Sequence, residues 1–164
     1  MTQRSTLSQT AGLISWLAIV FSAAGVGAVA SIEASSFYAQ LVRPNWAPPA
    51  SAFGPVWSVL YLLMGIAVWL VWRERSAVHL GAALKLFFIQ LCANALWSWL
   101  FFAWHNGAFA FAEVSILIAL ILATVIVFWR ISRLAAVLML PYLVWVSFAS
   151  ALTWSVWQSN PMLL

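Results

Sequence analysis

Residues 108–129, AFAFAEVSILIALILATVIVFW, hold a single charged side chain, Glu113, in 22 positions. At about 1.5 Å of rise per residue, a helix of that length spans about 33 Å, enough to cross the hydrocarbon core of a bilayer. The run does not alternate polar and apolar positions, so it is not a strand of a membrane barrel. Nor does it offer a polar face long enough to meet water, which excludes a helix of a soluble protein. Four more runs of this kind divide the 164-residue chain, and together they predict helices over about 11–32, 55–72, 80–104, 108–129 and 134–157, the third being most apolar over 84–104. The expected fold is an all-α membrane protein: five transmembrane helices forming a single domain over 1–164, with a structured first loop. Composition agrees, with 66% hydrophobic residues, 6% charged and a mean hydropathy of +1.03.

The few charges are unevenly placed. Arg4, Arg73, Arg75, Lys85, Arg130 and Arg133 fall on the side of the amino terminus and the second and fourth connections, whereas the other side has only Arg43. Lipid-flanking cations favour the cytoplasm, so this bias places the amino terminus inside and the carboxyl terminus outside. The basic residues flank helices rather than forming a stripe, which argues against nucleic acid as a partner.

The first connection, 33–54, is long but does not read as disordered. It sets Phe37, Tyr38, Trp46 and Phe53 among Pro44, Pro48 and Pro49. Prolines leave fewer states to lose on ordering, and the aromatic rings have surface to bury. Such a segment fits a lid over one end of the bundle. Pro55 suits the first turn of the second helix. Before the loop, the cluster Ala23–Ala28 of the first helix lets backbones approach closely, either within the bundle or between subunits.

Within the spans, polar and aromatic residues gather on particular faces. Trp57, Leu60, Tyr61 and Met64 share one side of the second helix. Gln90 and Asn94 lie one turn apart in the third, and Trp97, Ser98 and Phe101 continue that side. An amide facing lipid has no partner, so this pair points inward, either clamping neighbouring helices or lining a cavity. In the fifth helix, which Pro141 should kink, Trp145, Phe148, Ala149, Leu152 and Thr153 occupy one broad side; small residues beside rings there make either a recess or room for a neighbour. Glu113 stands near the end of the fourth, as a cap or interhelical bond, or beside a pocket mouth.

No catalytic constellation appears. There is no metal-ligand spacing, phosphate loop or nucleophile elbow, and neither His79 nor His105 lies where it could activate a serine. The spans carry no ionisable groups near the midplane of the kind that ion-coupled pumps place there. A membrane site lined by aromatic rings and amides remains, suited to a large, flat, mostly apolar ligand, with Arg43 able to attract a carboxylate at its mouth. No required cofactor is indicated.

The order and spacing of several of these pieces resemble the tryptophan-rich sensory protein / translocator protein family, also called the peripheral-type benzodiazepine receptor family. The carriers are Trp46-Ala47-Pro48-Pro49, then Phe53, Pro55, Trp57, Leu60-Tyr61 and Met64-Gly65. The third helix adds Gln90, Asn94, Trp97-Ser98 and Phe101-Phe102; the fifth adds Pro141-Tyr142, Trp145, Phe148-Ala149, Trp157 and Asn160-Pro161. The resemblance implies a five-helix bundle, commonly a homodimer, that binds porphyrins such as protoporphyrin IX or haem, sterols in animal homologues, and synthetic benzodiazepine-type or isoquinoline ligands. It implies that Tyr38, Trp46 and Pro49 belong to a lid. It also implies that Trp57, Gln90, Asn94, Trp145, Phe148 and Ala149 line the pocket, with Tyr61 and Trp97 on the same faces. Thr153 stands where many members have asparagine. Tyr142 has no Lys or Arg in the five residues after it, so the sterol motif of animal members is missing; a bacterial inner-membrane protein with a tetrapyrrole ligand is the expectation. The family's roles leave three outputs: a porphyrin receptor or regulator, a light- or oxygen-dependent porphyrin-degrading enzyme drawing on the 12 tryptophans, or a transporter.

Overall fold

A computed structural model describes residues 6–74 and 77–164; Arg4 and Arg75, both counted in the charge asymmetry, lie outside the described residues. Among the described residues there are six α-helices and no strand. Five are long and apolar enough to cross a membrane: α1 (Thr6–Ala30), α3 (Ala50–Arg73), α4 (Leu80–Ser98), α5 (Gly107–Trp129) and α6 (Arg133–Ser159). The short α2 (Ala34–Gln40) stands in the first connection. The chain is an integral membrane protein.

The long helices close a ring. α1 packs on α3 and α4, α3 on α6, α6 on α5, and α5 on α4. Inside it, Val20, Met64, Val68, Phe87, Ile121, Phe128 and Met139 are fully enclosed. Gly65 lets α1 approach: a Cβ there would lie 2.6 Å from Leu17 Cδ2. Because the spans alternate in direction, Arg73, Lys85, Arg130 and Arg133 all stand exposed at the end away from α2. There Arg73 lies 4.6 Å over the Trp69 ring, an arrangement that keeps a guanidinium at the interface while its stem covers apolar surface.

Two helix starts lie five residues before the expected ones, and the first of them is α1, which begins at Thr6 rather than at 11. The second span begins at Ala50, not Pro55. Pro49 takes the extended N-cap position (φ −64°, ψ 150°), which puts Pro55 inside the helix. Over 50–54 Phe53 is the single large apolar residue among alanines, a serine and a glycine, so no apolar period marks a helix before Pro55. The α4 span does not stop at Ser98 but continues as a π-helical turn, Trp99–Ala103, whose widened ladder shows in the bond from Trp104 N to Trp99 O at 2.8 Å. Pro141 lies inside a helix that runs unbroken from Arg133 to Ser159.

The first connection is a folded cap. Its α2 buries Phe37 and Tyr38, and together with Leu41 they pack on Phe101, Ala110, Leu152 and Val156 at the ends of α4, α5 and α6. Burying three such side chains contributes about 5 kcal/mol. Specific ties add to this. The Asn160 amide grips one residue of the cap from both sides: Val42 N donates to its Oδ1 at 2.9 Å, and its Nδ2 donates to Val42 O at 2.9 Å. His105, in the left-handed region at φ 49°, stacks on Phe37 with ring centroids 4.1 Å apart.

Candidate functional site

Under the cap, between α1, α3 and α4, lies a cavity of about 550 Å³, inside the range of about 300–1,000 Å³ that small-molecule sites occupy. Its two long walls differ in chemistry. α1 contributes Ala24, Gly27 and Ala28, and Ser31 follows just past its end, a face of small side chains repeating at three and four residues. α3, α4 and the π-helical turn that follows it contribute rings: Phe53, Trp57, Tyr61, Trp97 and Phe102. Tyr38 closes the top from α2. The space is therefore bounded by small side chains on one side and by aromatic faces on the other.

Two polar groups are fixed in it. Tyr61 Oη donates to Asn94 Oδ1 at 2.6 Å, which orients the buried amide from the neighbouring helix. Tyr38 Oη donates to Pro48 O at 3.0 Å and so ties the two arms of the cap together. Burial raises the Tyr38 pKa above the ordinary tyrosine value, against the opposing pull of Arg43. Arg43 itself lies over the Tyr38 ring, 4.6 Å from its centroid.

The sequence-derived residues separate into groups. Tyr38, Trp57, Tyr61, Asn94 and Trp97 come together in the cavity lining. Trp145 and Ala149 do not reach it; they line a second recess of only about 20 Å³, whose walls also include Phe53, Trp57, Asn94 and Trp97. Between Trp57 and Trp145 only this small recess remains, and the Phe53 ring on its wall meets Trp145 at 5.9 Å and Tyr38 at 5.5 Å. Phe148 and Trp46 extend this stack, with Trp46 to Phe148 at 5.6 Å. Neither lines a cavity, and neither does Pro49, the N-cap of α3. Thr153 is buried and donates to Ala149 O at 2.8 Å within its own helix.

Gln90 stands apart from both cavities. It is fully buried and neither end of its amide has a hydrogen-bond partner. It faces inward, as an amide in lipid must, but one turn of helix separates it from Asn94 and from the cavity. Glu113 also lines neither cavity, and its two oxygens are buried without a partner, so it is not a hydrogen-bonded cap. Cys92 is exposed on α4. Among the described residues no cluster of His, Cys, Asp and Glu could hold a metal ion.

The residues that sequence reasoning missed are the small ones. Ala24, Gly27, Ala28 and Ser31, and Ser51 and Gly54 on α3, make up much of the lining. The signal was present in the Ala23–Ala28 cluster, but a face without side chains reads equally as a place for a neighbouring helix.

Comparison with known proteins agrees with this architecture. The TspO/MBR family model matches residues 15–158. The chain is 39% identical over 132 residues to the tryptophan-rich protein TspO of Chlorobaculum tepidum, covering 78% of this chain and 82% of that protein. It is 35% identical to the translocator protein of Homo sapiens over 134 residues, 78% of this chain and 77% of the relative. With protein CrtK of Rhodobacter capsulatus it shares 35% identity over 142 residues, 85% and 86% of the two chains.

Proposed function

Because the chain belongs to the TspO/MBR family, we propose that it is a membrane receptor or regulator that binds porphyrins in the cavity under the cap. The observation that carries this reading is the pairing of an aromatic wall with a small-residue wall around about 550 Å³. A rigid planar macrocycle fits between such walls, stacking on Trp57 and Trp97 while its opposite face lies against Ala24 and Gly27. Asn94, oriented by Tyr61 through Oδ1, presents a polar edge on the cavity wall for a ring substituent. Arg43, over the Tyr38 ring at the cap, would attract a propionate. Among the described residues the lining holds no His, Cys or Met, which favours a metal-free porphyrin over a haem held by one of these common axial ligands.

The test is quenching of tryptophan fluorescence by protoporphyrin IX in detergent or nanodiscs. Saturation at one ligand per chain is expected, with Trp57→Phe and Asn94→Ala each weakening affinity about tenfold, equivalent to about 1.4 kcal/mol. Wild-type affinity in both variants would remove this cavity as the site. Further parts of the proposal are a bacterial inner-membrane location, the amino terminus in the cytoplasm, and a homodimer. A second reading, light- or oxygen-dependent porphyrin breakdown, draws on the indoles in the cavity wall. Product formation under light above a detergent-only control would favour it, and its absence would leave the binding role.

A further inference from the structure

We propose that the ligand enters the cavity sideways from the bilayer, through a window between the end of α1, the start of α2 and the start of α3, while the cap stays latched. The inference rests on the cavity being the ligand site. Of the residues lining it, four are exposed, Ala28, Ser35, Ser51 and Gly54, and they come from those three segments alone. Every lining residue from α4 is buried or half-buried. The gap between α1 and α4 is closed, since a Cβ on Gly27 would lie 3.3 Å from Ser98 Oγ. On the α3 side there is room: a Cβ on Gly54 would meet nothing within 4 Å.

The cap is tied down away from this window. Val42 is gripped by Asn160 just past the end of α6, Phe37 stacks on His105, and Trp46 packs on Phe148. An entry route beneath the cap would have to break these contacts, whereas the window needs none of them broken. Its frame lies two residues from the end of α1 and four from the start of α3, so it opens about 3–6 Å below the helix ends. Pro55, which has no N–H to offer the Ser51 carbonyl, leaves an acceptor on the frame.

The experiment is stopped-flow quenching by protoporphyrin IX of protein reconstituted in liposomes. Gly54→Leu and Ser51→Leu, made separately, should each slow dissociation of bound porphyrin as well as association, both by about tenfold, whereas a side chain that merely crowded the site would speed dissociation. Asn160→Ala, which loosens the cap, should leave association within about twofold of wild type. Association at the wild-type rate in both window variants, or acceleration by Asn160→Ala, would overturn the proposal. So would a folded window variant that loses equilibrium binding, because the side chain would then fill the site and not its entrance.

A ligand-free arm separates this from the porphyrin reading. In a Cys92→Ala background, a bimane on Gly54→Cys should be quenched by lipids carrying a nitroxide near the headgroup. Absence of that quenching would refute the window whatever the protein binds. A wild type that fails to bind porphyrin while the bimane is quenched would instead sink the porphyrin reading alone.

Discussion

Replacing Asn160 by alanine removes the hydrogen bonds that tie the cap to the end of the last helix, and its cost can be worked from the contacts. Two hydrogen bonds to Val42, each 2.9 Å, are lost together with the bond to Val156 O at 2.7 Å. A neutral hydrogen bond contributes about 0.5–1.5 kcal/mol net, and Val42 is exposed enough for water to take over its freed groups, so the two cap bonds together are worth about 2 kcal/mol. Since 1.4 kcal/mol is a factor of ten in an opening equilibrium, the Val42 amide should exchange with deuterium about 10–30 times faster. Hydrogen-exchange mass spectrometry on nanodisc-embedded protein reads this on a peptide covering residues 41–49. Asn160→Asp keeps the acceptor for Val42 N but loses both donors, so it should fall between the two. Unchanged protection in Asn160→Ala would refute the view that this amide, not apolar packing, holds the cap's second arm.

Glycine substitutions should separate by what a Cβ would meet. Gly107→Ala would set its methyl 2.5–2.9 Å from Trp157 Cδ1, Cγ and Cβ, atoms close to the α6 backbone, and should cost about 3 kcal/mol in thermal unfolding. Gly65→Ala meets the flexible end of Leu17 and should cost about 1 kcal/mol, while Gly81→Ala, with nothing within 4 Å, should stabilise α4 by up to about 1 kcal/mol; a reversed order would contradict the packing. Trp145→Phe should be among the mildest tryptophan changes, because the lost indole N–H is buried without an acceptor and its removal ends a desolvation penalty of about 1–3 kcal/mol. For Tyr38 the folded pKa lies above the unfolded one, so its contribution is complete at low pH and is lost as pH rises past about 10. Cap protection should therefore be flat below pH 9 and fall above 10, and Tyr38→Phe should remove that alkaline fall.

The spans were legible because lipid imposes a rule that length and apolarity alone can meet. What escaped notice was structure that needs no apolar signal. In α2, the sequence ASSFYAQ is too short for a period to appear, and its Phe37 and Tyr38 are buried by the ends of distant helices. Asn94, Trp57, Tyr61 and Trp97 could be placed on inward faces by spacing, and the structure puts them on the cavity. Gln90 obeys the same rule yet lies a turn away, because facing inward says nothing about which neighbour fills the space opposite. Phe53 illustrates the point: its ring between Trp145 and Tyr38 occupies room that spacing along two separate helices left unassigned.

The grip of Asn160 on Val42 joins residues 118 positions apart. A ribosome feeding this chain into the bilayer delivers the cap's partner after every other span has been made. Until α6 arrives, a nascent protein carries four inserted helices and a first loop with no amide to hold it. A chain stopped just short of residue 160 would keep the Phe37–His105 and Trp46–Phe148 contacts but leave Val42 without its partner.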